Sequence, residues 1–190
     1  MNIDLIIKNG KVFTNDTLIE ADVLIKNGKI WAIVEDSDAL EIKAKKIIEA
    51  DDLYVLPGSV DTHVHIRDPG RSDRETFETG TKCAAAGGVT TFFEHPISSP
   101  PQYSPEILRN RIEVAKPQCF VDYAFFGAAG AEFPEEITKI AKEGIVGYKT
   151  FLHKAQAGRE KEFVGLTMAN DGEMIKGFTE VAKTNLICTV

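Results

Sequence analysis

From Gly58 onward the chain alternates apolar strand-like runs with amphipathic helix-like ones, four times in succession. "GSVDTHVHI" reads as a strand and "ETFETGTKCAAAGG" as a helix that Gly87-Gly88 would stop. "VTTFFEHP", "CFVDYAFFGAA", "IVGYKTFL" and "NLICTV" read as further strands. Between them "SPEILRNRIEVAK", "FPEEITKIAKEG" and "DGEMIKGFTEVAKT" read as helices, the first with Ser104 as N-cap and Pro105 at its first position. Strands joined through helices by short connections run parallel, which predicts an α/β fold. The order suits a (β/α)8 TIM-type barrel, whose sites lie at the C-terminal ends of its strands. A whole barrel takes ~250 residues and 58–190 supplies about half of that, so the expected fold is an incomplete barrel. The last strand is apolar to its end, an odd terminus for a natural chain, and this favours a truncated barrel over a small open α/β sheet.

Residues 1–57 read differently, as short strands of a small all-β, sandwich-type module preceding the barrel part, 58–190. "IDLIIKNGKVF" and "ADVLIKNGKIWAIV" share the repeat "IKNGK" at a spacing of 18. Asn9-Gly10 and Asn27-Gly28 both suit type I′ hairpin turns, whose two central residues need positive φ. No chemistry-bearing group stands out in this module.

The net charge is −7, which disfavours a phosphate backbone as partner, so no nucleic acid is expected. "MNIDLIIKNGK" has no basic stretch leading into an apolar one, so no signal peptide is read there. No apolar run approaches the ~18 residues of a membrane span. Cys83, Cys119 and Cys188 are odd in number and widely spaced, which suggests reduced thiols in a cytoplasmic protein.

The chain has four histidines, and two of them, His63 and His65, stand two residues apart in "DTHVH". Residues i and i+2 of a strand face the same side, so both imidazoles would aim at one spot. Neutral imidazole is a common zinc ligand, although an isolated H-x-H is also a frequent surface pair. His95 and Lys149 lie at the ends of other strands, where a barrel keeps its site. Lys149 on its own reads first as an ordinary solvated or ion-paired lysine; Lys142 and Lys154 read as surface. Asp61 would share a face with His63 and could orient a ligand. Glu135-Glu136 falls in the first turn of a helix, where negative charge is favourable, and is not an acid/base pair.

"LPGSVDTHVHIRDPG", followed by "ETGTKCAAAGGVTT" and "GYKTFL", resembles the amidohydrolase superfamily. The likeness is to its cyclic amidases: dihydroorotase, allantoinase, hydantoinase and dihydropyrimidinase. It runs the whole length, the N-terminal hairpins included. The resemblance implies two divalent metal ions, zinc as a rule, with His63 and His65 on the more buried one. It implies that Lys149, carboxylated by CO2, bridges both. The remaining ligands, two histidines and an aspartate that also serves as general base, would lie beyond residue 190. The 190 residues would then hold at most half of the site and be inactive alone. The implied reaction is hydrolytic opening of a small cyclic amide or ureide, by water that the metals activate. The parent protein would be a homo-oligomer.

Arg67 follows the H-x-H by two residues. In dihydroorotases an arginine there pairs with the substrate carboxylate. Otherwise it would be a surface arginine paired with Asp68 or Asp73. "EHPISSPP" carries Ile97 where dihydroorotases have asparagine, and resembles the allantoinase pattern instead. The balance leans to an allantoinase or a related ureide hydrolase. His95 stands where the family usually has methionine, so it is expected to line the pocket or to be a satisfied buried histidine. His153 reads as pocket rim or surface. The rival reading is a non-catalytic relative serving as a scaffold or assembly subunit. The retained His63, His65 and Lys149 speak against it.

Overall fold

The computed structural model describes residues 3–190; Met1 and Asn2, the start of the segment read for a signal peptide, lie outside the described residues. The chain divides into two compact units, one ending at Pro57 and the other beginning at Gly58.

The first unit is all β. Its strands are β1 (Ile3–Thr14), β2 (Thr17–Lys26), β3 (Lys29–Val34), β4 (Ala44–Glu49) and β5 (Tyr54–Val55). They form one sheet in the order β3-β2-β1-β4, with β5 beside the far end of β1. The hairpins β1–β2 and β2–β3 are antiparallel, whereas β4 and β5 run parallel to β1. Ile3, Ile6 and Leu24 build one apolar cluster and Val12, Ala21 and Val23 another. A sandwich needs two facing sheets; the described residues of this unit form a single one.

The two Asn-Gly pairs behave differently. Asn27 and Gly28 have φ of 53° and 72° and turn the chain between β2 and β3, as expected. Asn9 also has positive φ, but it sits inside β1, where the pairing with β2 shifts register between Ile7 and Gly10. It is a bulge, not a hairpin turn. Its amide is held by Asp22 Oδ1 at 2.8 Å, and a Cβ on Gly10 would stand 2.5 Å from Val55 Cγ2. The reversal falls instead at Asn15-Asp16, both with positive φ.

The second unit alternates strand and helix: β6 (Ser59–Val64), α1 (Phe77–Ala86), β7 (Val89–Glu94), α2 (Pro105–Ala115), β8 (Asp122–Ala128), α3 (Pro134–Ile140), β9 (Gly147–Lys149), α4 (Asp171–Ala182) and β10 (Cys188–Thr189). The five strands form one parallel sheet in sequential order, β6 to β10. Local chemistry sets the helix ends. The Thr76 hydroxyl accepts from the Thr79 amide to start α1, and Gly87, then Gly88 with φ of 81°, end it. Ser104 caps α2 with Pro105 at its first position, and Asn170 caps α4. Phe77, Phe92, Leu108, Phe125, Ile137 and Tyr148 fill the space between sheet and helices. Strand β9 is shorter than "IVGYKTFL" suggested. After Lys149 only Phe151 bridges, to Thr167, and residues 152–170 form an irregular excursion with one 3-10 turn at Glu160–Glu162.

Candidate metal centre

The sheet delivers its chemistry-bearing groups where its strands end. Strand β6 loses regular pairing with β7 between Asp61 and Val64, so His63 and His65 project from a distorted strand end. They still converge: Nε2 of His63 and Nε2 of His65 are 3.1 Å apart. Two nitrogens bound at ~2.0–2.1 Å to one tetrahedral zinc stand roughly 3.3 Å apart, so the pair has the bite of a chelate. Burial, then the charges of His63, His95, Arg67 and Lys149, push His65 down to about 3. It is therefore neutral near pH 7, the state in which imidazole donates to a metal. His65 Nδ1 is buried and has no protein partner. Asp61 Oδ1 accepts from the backbone amide of His63 and so braces the strand end, not the ring.

Lys149 is the last residue of β9 and only 4% exposed. Its Nζ lies 4.6 Å from the centroid of the Phe151 ring. Among the described residues no carboxylate forms an ion pair with it. Burial holds its amine below the usual lysine range. An unpaired ammonium in such a place is costly. A carbamate there would replace the cation with anionic oxygen donors, whose charge a bound divalent metal would offset. The donor set of two convergent imidazoles, His65 held neutral, and one buried lysine without an ion pair among the described residues thus fits a divalent metal. It is a partial set: among the described residues no group of three or more His, Cys, Asp or Glu could hold a metal ion by itself.

His95 follows β7 and is buried. Its ring stacks on that of His63, with centroids 4.1 Å apart and planes at 8°. Arg67 has a positive φ of 67° and donates through Nη1 to Glu162 Oε2 at 3.2 Å. Neither Asp68 nor Asp73 is its partner. Asp68 accepts from the Ser72 hydroxyl, and Asp73 pairs with Arg71. Glu162, nearly buried, also takes Arg71 at 2.9 Å and Arg159 at 2.6 Å. His153 is exposed, as are Lys142 and Lys154, and Glu136 of the α3 first turn pairs with Lys139. Burial pushes the Cys119 and Cys188 thiols up to about 11, which makes them poor nucleophiles.

One structural pair escaped the sequence. Glu94, the last residue of β7, is fully buried and meets the buried Arg111 of α2 at 2.5 Å. The same carboxylate accepts the Ile66 amide at 2.9 Å and the Arg67 amide at 3.3 Å. It therefore ties the backbone that follows His65 to the neighbouring strand and helix. The available signal was a lone acid closing an apolar strand.

The profile of the amidohydrolase family matches residues 54–185. The chain is 34% identical over 183 residues to an allantoinase from Bacillus velezensis, covering 96% of this chain and 38% of that protein. It is 33% identical to an L-hydantoinase from Paenarthrobacter aurescens, covering 98% of this chain and 39% of the relative. Among solved structures, the L-hydantoinase (dihydropyrimidinase) from Arthrobacter aurescens superposes with a TM-score of 0.84 at 32% identity, over 98% of this chain and 40% of that one. The chain thus spans about two fifths of the length of the relatives it matches. The mixed α/β fold with its curled parallel sheet is the one these enzymes share. On the matched profile and these relatives, the chain belongs to the amidohydrolase family, in its group of cyclic amidases.

Proposed function

We propose that the chain is the N-terminal, ligand-bearing part of a metal-dependent cyclic amidohydrolase that opens a small ring by hydrolysis of a C–N bond. The observation that carries this reading is the 3.1 Å approach of the His63 and His65 Nε2 atoms, with a buried lysine that has no carboxylate partner among the described residues. The five parallel strands are read as the first five of an eight-stranded barrel, following the N-terminal β-module, 1–57. His63 and His65 would hold one divalent metal, zinc in the simplest case. Lys149, once its neutral amine has added CO2 and released a proton, would bridge to a second. When bound, such metals make water a nucleophile at neutral pH and polarise a carbonyl oxygen. The chain's own part is to keep two imidazoles convergent, His65 neutral, and the lysine amine dry and reactive toward CO2. The general base is expected outside these 190 residues, since the relatives are more than twice as long.

The substrate is read as a neutral ureide or hydantoin ring. The relatives are named allantoinase and hydantoinase. Arg67, which would face the ring, already donates to the buried Glu162 and so answers a carboxylate within the protein. Among the described residues no helix is long and apolar enough to cross a membrane, and a cytoplasmic setting suits the three free thiols. The test is Lys149→Ala in the parent protein, where it should remove most of the bound metal and the ring-opening activity, and added bicarbonate should restore neither. A variant with unchanged metal content would sink the bridging role.

A further inference from the structure

His95 is outside the ligand set proposed above, yet it is the most tightly enclosed imidazole of the cluster. Its backbone amide donates to the Val64 carbonyl at 2.8 Å. Its ring lies between two others, 4.2 Å from Phe126 at 22° and 4.1 Å from His63 at 8°. Its Nε2 stands 3.1 Å from the Thr62 carbonyl oxygen. A carbonyl only accepts, so His95 must carry its proton on Nε2, and its buried Nδ1 is left with a lone pair and no protein partner. His95 thus grips three consecutive residues, Thr62, Val64 and, through its face, His63. His63 is exposed, and the stack supports one face of its ring.

We infer that His95 is a positioning residue: the Phe126–His95–His63 stack sets the plane in which His63 presents Nε2 toward His65. This rests on the metal-centre reading of His63 and His65. Parallel rings 4.1 Å apart direct their nitrogens along separate, parallel planes, so His95 cannot join His63 on one ion. Its Nε2 is also engaged by Thr62. A partner that orients a ligand typically contributes 10–100-fold to metal affinity. The lower end applies here, because the contact is a ring face and not a hydrogen bond.

The experiment is a double-mutant cycle on Zn2+ affinity, read by competition with a chromophoric chelator, for the wild type, His63→Ala, His95→Ala and the double variant. His95→Ala should weaken zinc binding about tenfold. In the His63→Ala background the same change should do nothing further, because the stacked ring through which it acts is gone. His95→Phe, which keeps a ring but no donor, should bind zinc within about threefold of wild type. A further loss in the double variant, or Phe as weak as Ala, makes His95 a ligand or a general structural residue and overturns the inference. So does unchanged affinity in His95→Ala. If His63→Ala itself leaves zinc affinity intact, the metal-centre reading fails instead.

Discussion

The Glu94–Arg111 pair gives the sharpest energetic expectation. Both side chains are buried, and the carboxylate also holds the Ile66 and Arg67 amides. Burial pushes Glu94 up and Arg111 down, and each charge opposes the shift of the other. Glu94→Ala strands a buried guanidinium, costing about 3–5 kcal/mol, and orphans the Ile66 amide for about 1 more, so the expected loss is about 4–6 kcal/mol. That is a large part of a typical domain's ~5–15 kcal/mol. Arg111→Met is milder, about 2–4 kcal/mol at pH 8, because Glu94 keeps two amide donors and can take up a proton. Its folded pKa then lies above the unfolded ~4.3, so the folded state binds the extra proton in between. The penalty therefore shrinks as pH falls, by up to about 1.4 kcal/mol per unit within that window. Urea unfolding followed by far-UV circular dichroism reports on this unit, because every α-helix lies in it. Fluorescence of Trp31, the single tryptophan, reports on the other. The reasoning is refuted if Arg111→Met costs under about 1 kcal/mol, or costs the same at pH 5.5 and pH 8 relative to wild type.

Asp22 is buried in β2 and accepts from the Asn9 amide and from both the amide and the hydroxyl of Ser37. Burial alone would raise its pKa, but the Ser37 and Asn9 donors outweigh it and hold the carboxyl below the usual range. Its contribution is present above the unfolded ~3.9 and is lost as pH falls through the lower folded value. Asp22→Ala should lower stability by about 2 kcal/mol at pH 7 and flatten the acid limb of the Trp31 transition; an unchanged acid limb would count against it. In the parent protein, Glu162→Gln should loosen Arg67 and raise the use of dihydroorotate relative to hydantoin by about three- to tenfold in kcat/KM, through a charge-assisted contact. An unaltered ratio means that Arg67 does not meet the ring.

What was legible in the sequence is what depends on neighbours along the chain. The alternation from Gly58, the Ser104 cap, the Gly87-Gly88 stop and the H-x-H bite all arise within a few residues. Asn9-Gly10 shows the limit. It carries the same turn dipeptide as Asn27-Gly28, yet it is a bulge, because Asp22 takes the Asn9 amide and Val55 packs onto Gly10. Both partners are remote in sequence. Glu162 escaped for the same reason: it meets Arg67 across 95 residues, from a segment without periodicity. The role of Glu94 depends on Arg111, which lies on a helix whose pattern reads only as amphipathic. His95 was visible as a residue at a strand end, but its stacking on His63 depends on the distortion at the end of β6, and no local pattern encodes that.

The central claim is that Lys149 becomes an anionic ligand beside the His63–His65 pair. The most direct measurement is 13C NMR of the zinc-loaded protein after incubation with 13C-bicarbonate, with zinc per chain counted on the same sample. A carbamate resonance that accompanies bound zinc, and disappears in Lys149→Ala together with most of that zinc, is the expected result. A sample that binds zinc without any carbamate signal, or that shows the same signal in Lys149→Ala, would contradict it.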